Sequence, residues 1–160
     1  MHINVPYKPN QQSFVLIVEP AAESRIRIAK ALQRSGMRVI AVGSGFDALD
    51  VAQGLGGPAL AIVELSLPDM SGLELTTRLH KSRPCPVIII TSEANPKLAA
   101  ELLNLVAEDV VSKPFDEREI AARAYRVMMR EVKRMAPQRE SGPAKSLNGH
   151  YFRNDIRTIN

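Results

Sequence analysis

A single cysteine, Cys85, is all that this 160-residue chain offers for cross-linking, so no internal disulfide can form. That fits a reducing cytosol. Cys85 lies between Pro84 and Pro86 at the entry to an apolar run, and it reads as a buried or loop thiol rather than a reactive one. No run of about 18 apolar residues occurs, which excludes a transmembrane helix. Met1 to Gln12 has no charged segment leading into an apolar one, so a secretory signal is not expected and a cytoplasmic location is. His2, His80 and His150 are scattered without ligand spacing, which argues against a zinc site. The P-loop, GxGxxG, GxSxG and HExxH patterns are all missing. Gly54-Leu55-Gly56-Gly57 is followed by Pro58 and an apolar run rather than a helix, so it is a loop and not a phosphate cradle. There is no internal repeat.

Hydrophobic residues make up 45% of the chain, enough for one full core. The net charge of +4 is uneven: residues 13–116 hold ten basic against twelve acidic side chains, and residues 117–160 hold ten against five. The basic surplus therefore belongs to the C-terminal quarter and points to an acidic or anionic partner for it.

Five short apolar runs alternate with five helical patterns. The expected strands are Phe14–Val18, Val39–Val42, the run from Leu60 to Glu64, Val87–Ile90 and Val110–Val111. Helices are expected over about 21–35 and 46–53, from Ser71-Gly72, from Pro96, and over 117–135. In the first, Ile28 and Leu32 sit four apart with Ala22, Ile26 and Ala29 on the adjoining stripe, and Arg25, Arg27, Lys30 and Arg34 cover the outside. Asp116 fits an N-cap, with Glu119 as its capping-box partner. Such alternation predicts a doubly wound α/β domain with a five-stranded parallel sheet and the flavodoxin-like order 2-1-3-4-5. The domain is expected over 13–135. Residues 1–12 read as a loose arm, and residues 136–160 as a basic, disordered tail, since about 25 residues cannot build a core of their own.

The stretch from Leu60 to Gly72 organises the rest. An apolar run ends in the carboxylate Glu64, a Pro68-Asp69 turn follows, and Gly72 opens a helix. In the expected order Glu19, Glu64, Thr91 and Lys113 all fall at the carboxyl edge of the sheet, where ligands bind in open α/β folds. Together with Lys113-Pro114-Phe115, this arrangement resembles the receiver (CheY-like) domain of bacterial two-component response regulators. The resemblance covers residues 13 to about 130. It implies that Glu64 stands at the phosphoacceptor position, Glu19 beside the metal, Thr91 where a hydroxyl contacts the phosphoryl group, and Lys113 where a lysine pairs with it. It also implies a cis bond before Pro114. Asp69 reads as a turn residue without chemistry.

Three departures from the family pattern matter. The acceptor is Glu64 rather than Asp, which displaces the carboxyl group by roughly one bond length of 1.5 Å. The second of two adjacent acids after the first strand is Pro20. Val110 replaces the aromatic residue three positions before the lysine. An octahedral Mg²⁺ site tolerates such changes poorly. We therefore expect a pseudo-receiver that is not an enzyme and needs no cofactor, in which Glu64 pairs with Lys113 and supplies a fixed charge. It would be a stand-alone module binding a signalling partner, or a second copy of itself, through the face of the fourth helix, fifth strand and fifth helix that the family uses. Two rivals stand beside it. One is a working phosphoacceptor in which Glu64 is the nucleophile and Glu19 and Glu64 hold Mg²⁺. The other is a binder of a cyclic dinucleotide or nucleic acid. For the second the candidate docking stripe is Arg123, Arg126, Arg130, Lys133 and Arg134, within an arc of about 100° on the last helix. A solvated face, with Glu119 and Arg123 paired at i,i+4, is the plainer meaning of that stripe.

Overall fold

The computed structural model describes residues 13–93 and 95–135; the expected arm and tail lie outside the described residues. In chain order the elements are β1 (Val15–Val18), α1 (Ala22–Arg34), β2 (Val39–Val42), α2 (Gly45–Leu55) and β3 (Leu60–Glu64). They continue with α3 (Gly72–Ser82), β4 (Val87–Thr91), α4 (Pro96–Leu105), β5 (Asp109–Ser112) and α5 (Glu117–Met135). The strands form one parallel sheet in the order β2-β1-β3-β4-β5. Parallel pairing requires crossovers, and the helices that supply them cover both faces.

The side-chain alternation of the strands divides the core in two. Val15, Ile17, Ile62, Ile88 and Ile90 point to the α1/α5 layer and meet Ile28, Leu32, Ile120, Ala124 and Val127. Leu16, Val18, Ala61, Val63 and Ile89 point the other way and meet Ala48, Leu75, Leu79 and Leu102. Each of these strand residues is fully buried, worth about 1.5–3 kcal/mol for a large aliphatic side chain. This double burial is why β1, β3 and β4 read as unbroken apolar runs.

Local signals fix the helix ends. The Ser44 hydroxyl accepts from Asp47 N at 3.2 Å, and that of Ser71 from Glu74 N at 3.0 Å. Asn95 Oδ1 accepts from Lys97 N, with Pro96 opening α4. Gly56, at φ 80°, takes the left-handed turn that closes α2. In α1 the buried face is Ile28, Ala31 and Leu32, while Ile26 is 51% exposed, so the inward stripe is rotated away from the expected Ile26. At α5 the Asp116 carboxylate accepts from Arg118 N at 2.8 Å, but Glu119 pairs forward with Arg123 and does not close a capping box. Arg27 of α1 reaches Glu117 of α5 at 2.7 Å and joins the two helices on their shared layer.

Cys85 is buried, and burial pushes its thiol up to about 11. A thiol held neutral in the fold contributes stability below its ordinary value of 9.0 that is lost as pH rises toward about 11. Replacing Cys85 with alanine should therefore flatten part of the alkaline fall in Tm. Alkylation of the native wild-type chain should track global unfolding rather than the thiol's ordinary ionisation.

Candidate functional site

Strand register brings the site together. Val18 pairs with Val63, so the next residues, Glu19 and Glu64, emerge side by side at the carboxyl edge. Glu64 pairs with Ile90 and Thr91 with Ser112, which places Lys113 one residue past the end of β5, on the far side of β4. β3 and β5 lie about 10 Å apart, two strand spacings, a gap that only a long side chain crosses. Lys113 crosses it: its Nζ lies 2.5 Å from Glu64 Oε2 and 2.7 Å from Glu19 Oε2. The Lys113–Pro114 peptide bond is cis.

Both carboxylates are buried, Glu19 at 1% and Glu64 at 4% exposure. Each is held from behind by the backbone. Glu19 Oε1 accepts from Ala21 N at 2.9 Å, and Glu64 Oε1 accepts from Ser66 N at 3.1 Å. Glu64 Oε2 meets the ammonium as an ion pair but off the hydrogen-bonding direction, so this buried oxygen has a charge partner and no aligned donor. Burial alone would lower the pKa of Lys113. The close negative charges of Glu19 and then Glu64, both at ion-pair distance, outweigh it and hold the ammonium above its ordinary range. Two carboxylates against one ammonium leave the cluster with one surplus negative charge.

Thr91 is buried at the end of β4. Its hydroxyl accepts from Glu93 N at 3.0 Å, and its carbonyl accepts from Lys113 N at 2.7 Å. The expected quartet therefore becomes a triad of side chains in contact, with Thr91 supporting the lysine through its main chain.

The loop after β3 is held closely. Gly72 N donates to Leu65 O at 2.7 Å, and a Cβ on Gly72 would lie 2.5 Å from Glu64 O. Asp69 does more than turn the chain. Its Oδ1 and Oδ2 accept from Gly45 N and Phe46 N at 2.9 and 2.8 Å, across 24 and 23 residues, and cap the start of α2. The Gly45 amide in the first place, with help from Phe46, holds the Asp69 carboxyl below its usual range. Arg25 was also hidden in the sequence. It leaves the outer face of α1, and its Nη1 donates to Glu19 O at 2.6 Å and Pro20 O at 3.1 Å. The one signal for it was a cation near a helix N-terminus, where the dipole disfavours positive charge.

Residues 15–125 match the model of the response regulator receiver domain. The chain belongs to the response-regulator receiver family. It is 37% identical over 117 residues to the virulence transcriptional regulatory protein PhoP of Salmonella typhimurium, covering 72% of this chain and 52% of that protein. It is 30% identical over 125 residues to the two-component response regulator ORR3 of Oryza sativa subsp. indica, covering 76% and 95%. Among solved structures, response regulator DrrB of Thermotoga maritima superposes with a TM-score of 0.67 at 25% identity, covering 74% of this chain and 54% of that one. The chain thus spans about half the length of the PhoP-type relatives it matches. It is a receiver domain of two-component signal transduction, and no described helix is long and apolar enough to cross a membrane.

Receivers of the ordinary pattern hold Mg²⁺ in this pocket, and the residues of this receiver do not fit that ion. Among the described residues only Glu19 and Glu64 offer carboxylates there, and the neighbouring acidic position is Pro20, without a donor side chain. Both carboxylates already share the Lys113 ammonium at 2.7 and 2.5 Å. Among the described residues no three His, Cys, Asp or Glu side chains converge to hold a metal. Mg²⁺ demands near-ideal octahedral oxygen geometry at about 2.0–2.1 Å, which this pair, tied to a lysine, does not supply.

The receiver's α5 stripe is largely neutralised. Arg123 bonds both oxygens of Asp109 at 2.9 and 2.8 Å and pairs with Glu119, and Arg126 lies 3.6 Å from Asp109. Arg134 pairs with Glu131 at 2.6 Å and lies 3.7 Å from Glu108. Only Arg130 and Lys133 of the stripe have no acidic partner within 4.0 Å among the described residues. Val110, at the former aromatic position, packs against the α2/α3/α4 layer.

Proposed function

We propose that this chain is an atypical receiver that signals by binding a protein partner without the usual phosphorylation cycle. The observation that supports the reading is the Lys113 ammonium lodged between Glu19 and Glu64. In an ordinary receiver the lysine meets the added charge of a phosphoryl group that comes and goes. Here the longer Glu64 side chain brings its own carboxylate to Lys113. Glu64 carries a single charge against about two on a phosphoryl group, so the mimicry is partial. The partner, or a second copy of the chain, would dock on the face of α4, β5 and α5. The Arg123–Asp109 pairing argues against an anionic nucleotide on that helix, since such a ligand would have to displace bonded carboxylates.

Amide NMR of the full chain, titrated with millimolar Mg²⁺ and then with beryllofluoride, tests the reading. The expected result is an unchanged spectrum at Glu19, Glu64, Thr91 and Lys113. Saturable shifts at those residues spreading to α4 would mean that the phosphorylation switch still operates, with Glu64 as acceptor.

A further inference from the structure

The two edges of the sheet are guarded differently. β5 carries Asp109, which Arg123 of α5 covers. β2, at the other edge, pairs with β1 alone among the described residues, and from Val39 to Phe46 the chain carries no charge. Exposed edges are ordinarily blunted by charge, proline or a bulge, and β2 has none of these. Its inner groups are taken: Val15 N donates to Arg38 O at 2.8 Å and Glu19 N to Val42 O at 3.1 Å. Backbone groups alternate sides along a strand, so those of Val39 and Ala41 face outward. Ala41 is exposed.

The flank of α1 beside this edge is uncharged too. Arg25 marks that flank, since its Nη1 lies 3.1 Å from where a Cβ on Gly43 would stand, and Arg27, paired with Glu117, marks the α5 side. At about 100° per residue, Ala22, Ile26, Ala29 and Gln33 fall next to Arg25 within an arc of about 60°. Ile26, 51% exposed, is the largest apolar side chain among them.

A second copy of the chain fits this edge. Turned about a two-fold axis through Ala41, β2 meets itself antiparallel, with Ala41 against Ala41 and Val39 against Gly43 of the other copy. The axis then passes between small residues. The same register sets Arg38 opposite Ser44, which is still extended at φ −142° and whose hydroxyl donates to Asp47 Oδ2 at 2.7 Å. Arg38 and Asp47 are both exposed, and neither is in an ion pair within one chain among the described residues. Their charges therefore complement each other twice across the axis. α1 packs over β1 and β2, against Val15, Ile17 and Val39. With strands about 4.8 Å apart, the two α1 axes come to lie about 10 Å from each other, close to the separation of packed helices.

We propose that this chain forms a two-fold dimer through β2 and the uncharged flank of α1, joining two sheets into one. The signalling faces at β5 are left free at its far ends. The dimer does not depend on what the pocket binds.

The test is sedimentation equilibrium of the full chain from micromolar to submillimolar concentration, with amide NMR spectra to confirm that each variant folds. A41R sets like charges against each other on the axis, and I26E places them between the helices. The expected result is a wild-type dimer that each variant weakens at least tenfold, whereas L105E on α4 leaves it unchanged. R38E weakens it as well, and R38E/D47K, which reverses both charges, recovers it. A wild-type chain that stays monomeric overturns the proposal, and so does wild-type affinity in R38E or no recovery in R38E/D47K. A dimer broken by L105E but not by A41R and I26E places the second copy on the α4–β5–α5 face and overturns it too. If A41R fails to fold, I26E on the exposed helix surface decides.

Discussion

Replacing Gly72 with alanine is expected to cost about 3 kcal/mol or more and to lower Tm by roughly 10 °C. The added Cβ would lie 2.5 Å from Glu64 O and 2.9 Å from Leu65 Cα. Both are main-chain atoms of the strand end, so neither can swing aside as a side-chain tip would. Relief requires moving α3 away from β3 or shifting the carbonyl of Glu64. The second route disturbs the carboxylate too, since Glu64 Oε1 is fixed by the Ser66 amide two residues on. Thermal melts check the stability, and the Lys113 resonances of whatever fraction folds check the pocket. A Gly72→Ala chain with native Tm would show that the loop relaxes far more easily than its hydrogen bonds imply.

Lys113→Met carries the second large effect. It removes the one cation between two carboxylates that are 1% and 4% exposed. Breaking a buried pair by deleting one partner typically costs about 3–5 kcal/mol, because the surviving charge is left without compensation. Lys113 itself is 26% exposed, so solvent screening places the expected loss at the lower end, about 3 kcal/mol. Glu64→Gln in the same chain should recover a good part of it by removing the surplus charge. A double-mutant cycle read by urea unfolding measures the coupling. The pH dependence has a definite sign. The ammonium is held above its ordinary 10.5 in the fold, so its contribution is fully present below 10.5 and is lost as pH rises through the folded value. Wild type should lose Tm in that alkaline window and Lys113→Met should lose less. If the two fall in parallel, the ion pairs are not contributing.

The architecture was readable because its signals are local. Val87-Ile88-Ile89-Ile90 is β-branched throughout and can hardly be anything but a buried strand. Ser71 before Gly72 and Pro96 after Asn95 mark helix starts from a few residues, and five alternations leave little choice of topology. Glu19, Glu64 and Lys113 were readable for the same reason, since each ends a strand and a parallel sheet gathers strand ends at one edge. What was hidden is long-range or runs against propensity. Nothing local says that Asp69 caps a helix more than twenty residues earlier in the chain. Ile26 looked inward by periodicity alone, but the face of α1 is set by where α5 packs, and it turns toward Ala31. Glu119 had two acceptable partners, the Asp116 amide and Arg123, and the charged one prevails. That one ammonium would serve both Glu19 and Glu64 follows from register, which the sequence leaves unstated.

The Asp69 cap also decides how this edge of the sheet meets anions. The first amides of α2 are a standing invitation to them, and they open onto the same edge as the pocket. In this chain the invitation is answered from within. A carboxylate tethered by its own loop competes at an effective concentration that a free phosphate or nucleotide must exceed before it can displace it. Any anion reaching this edge therefore finds the start of α2 already occupied by Asp69.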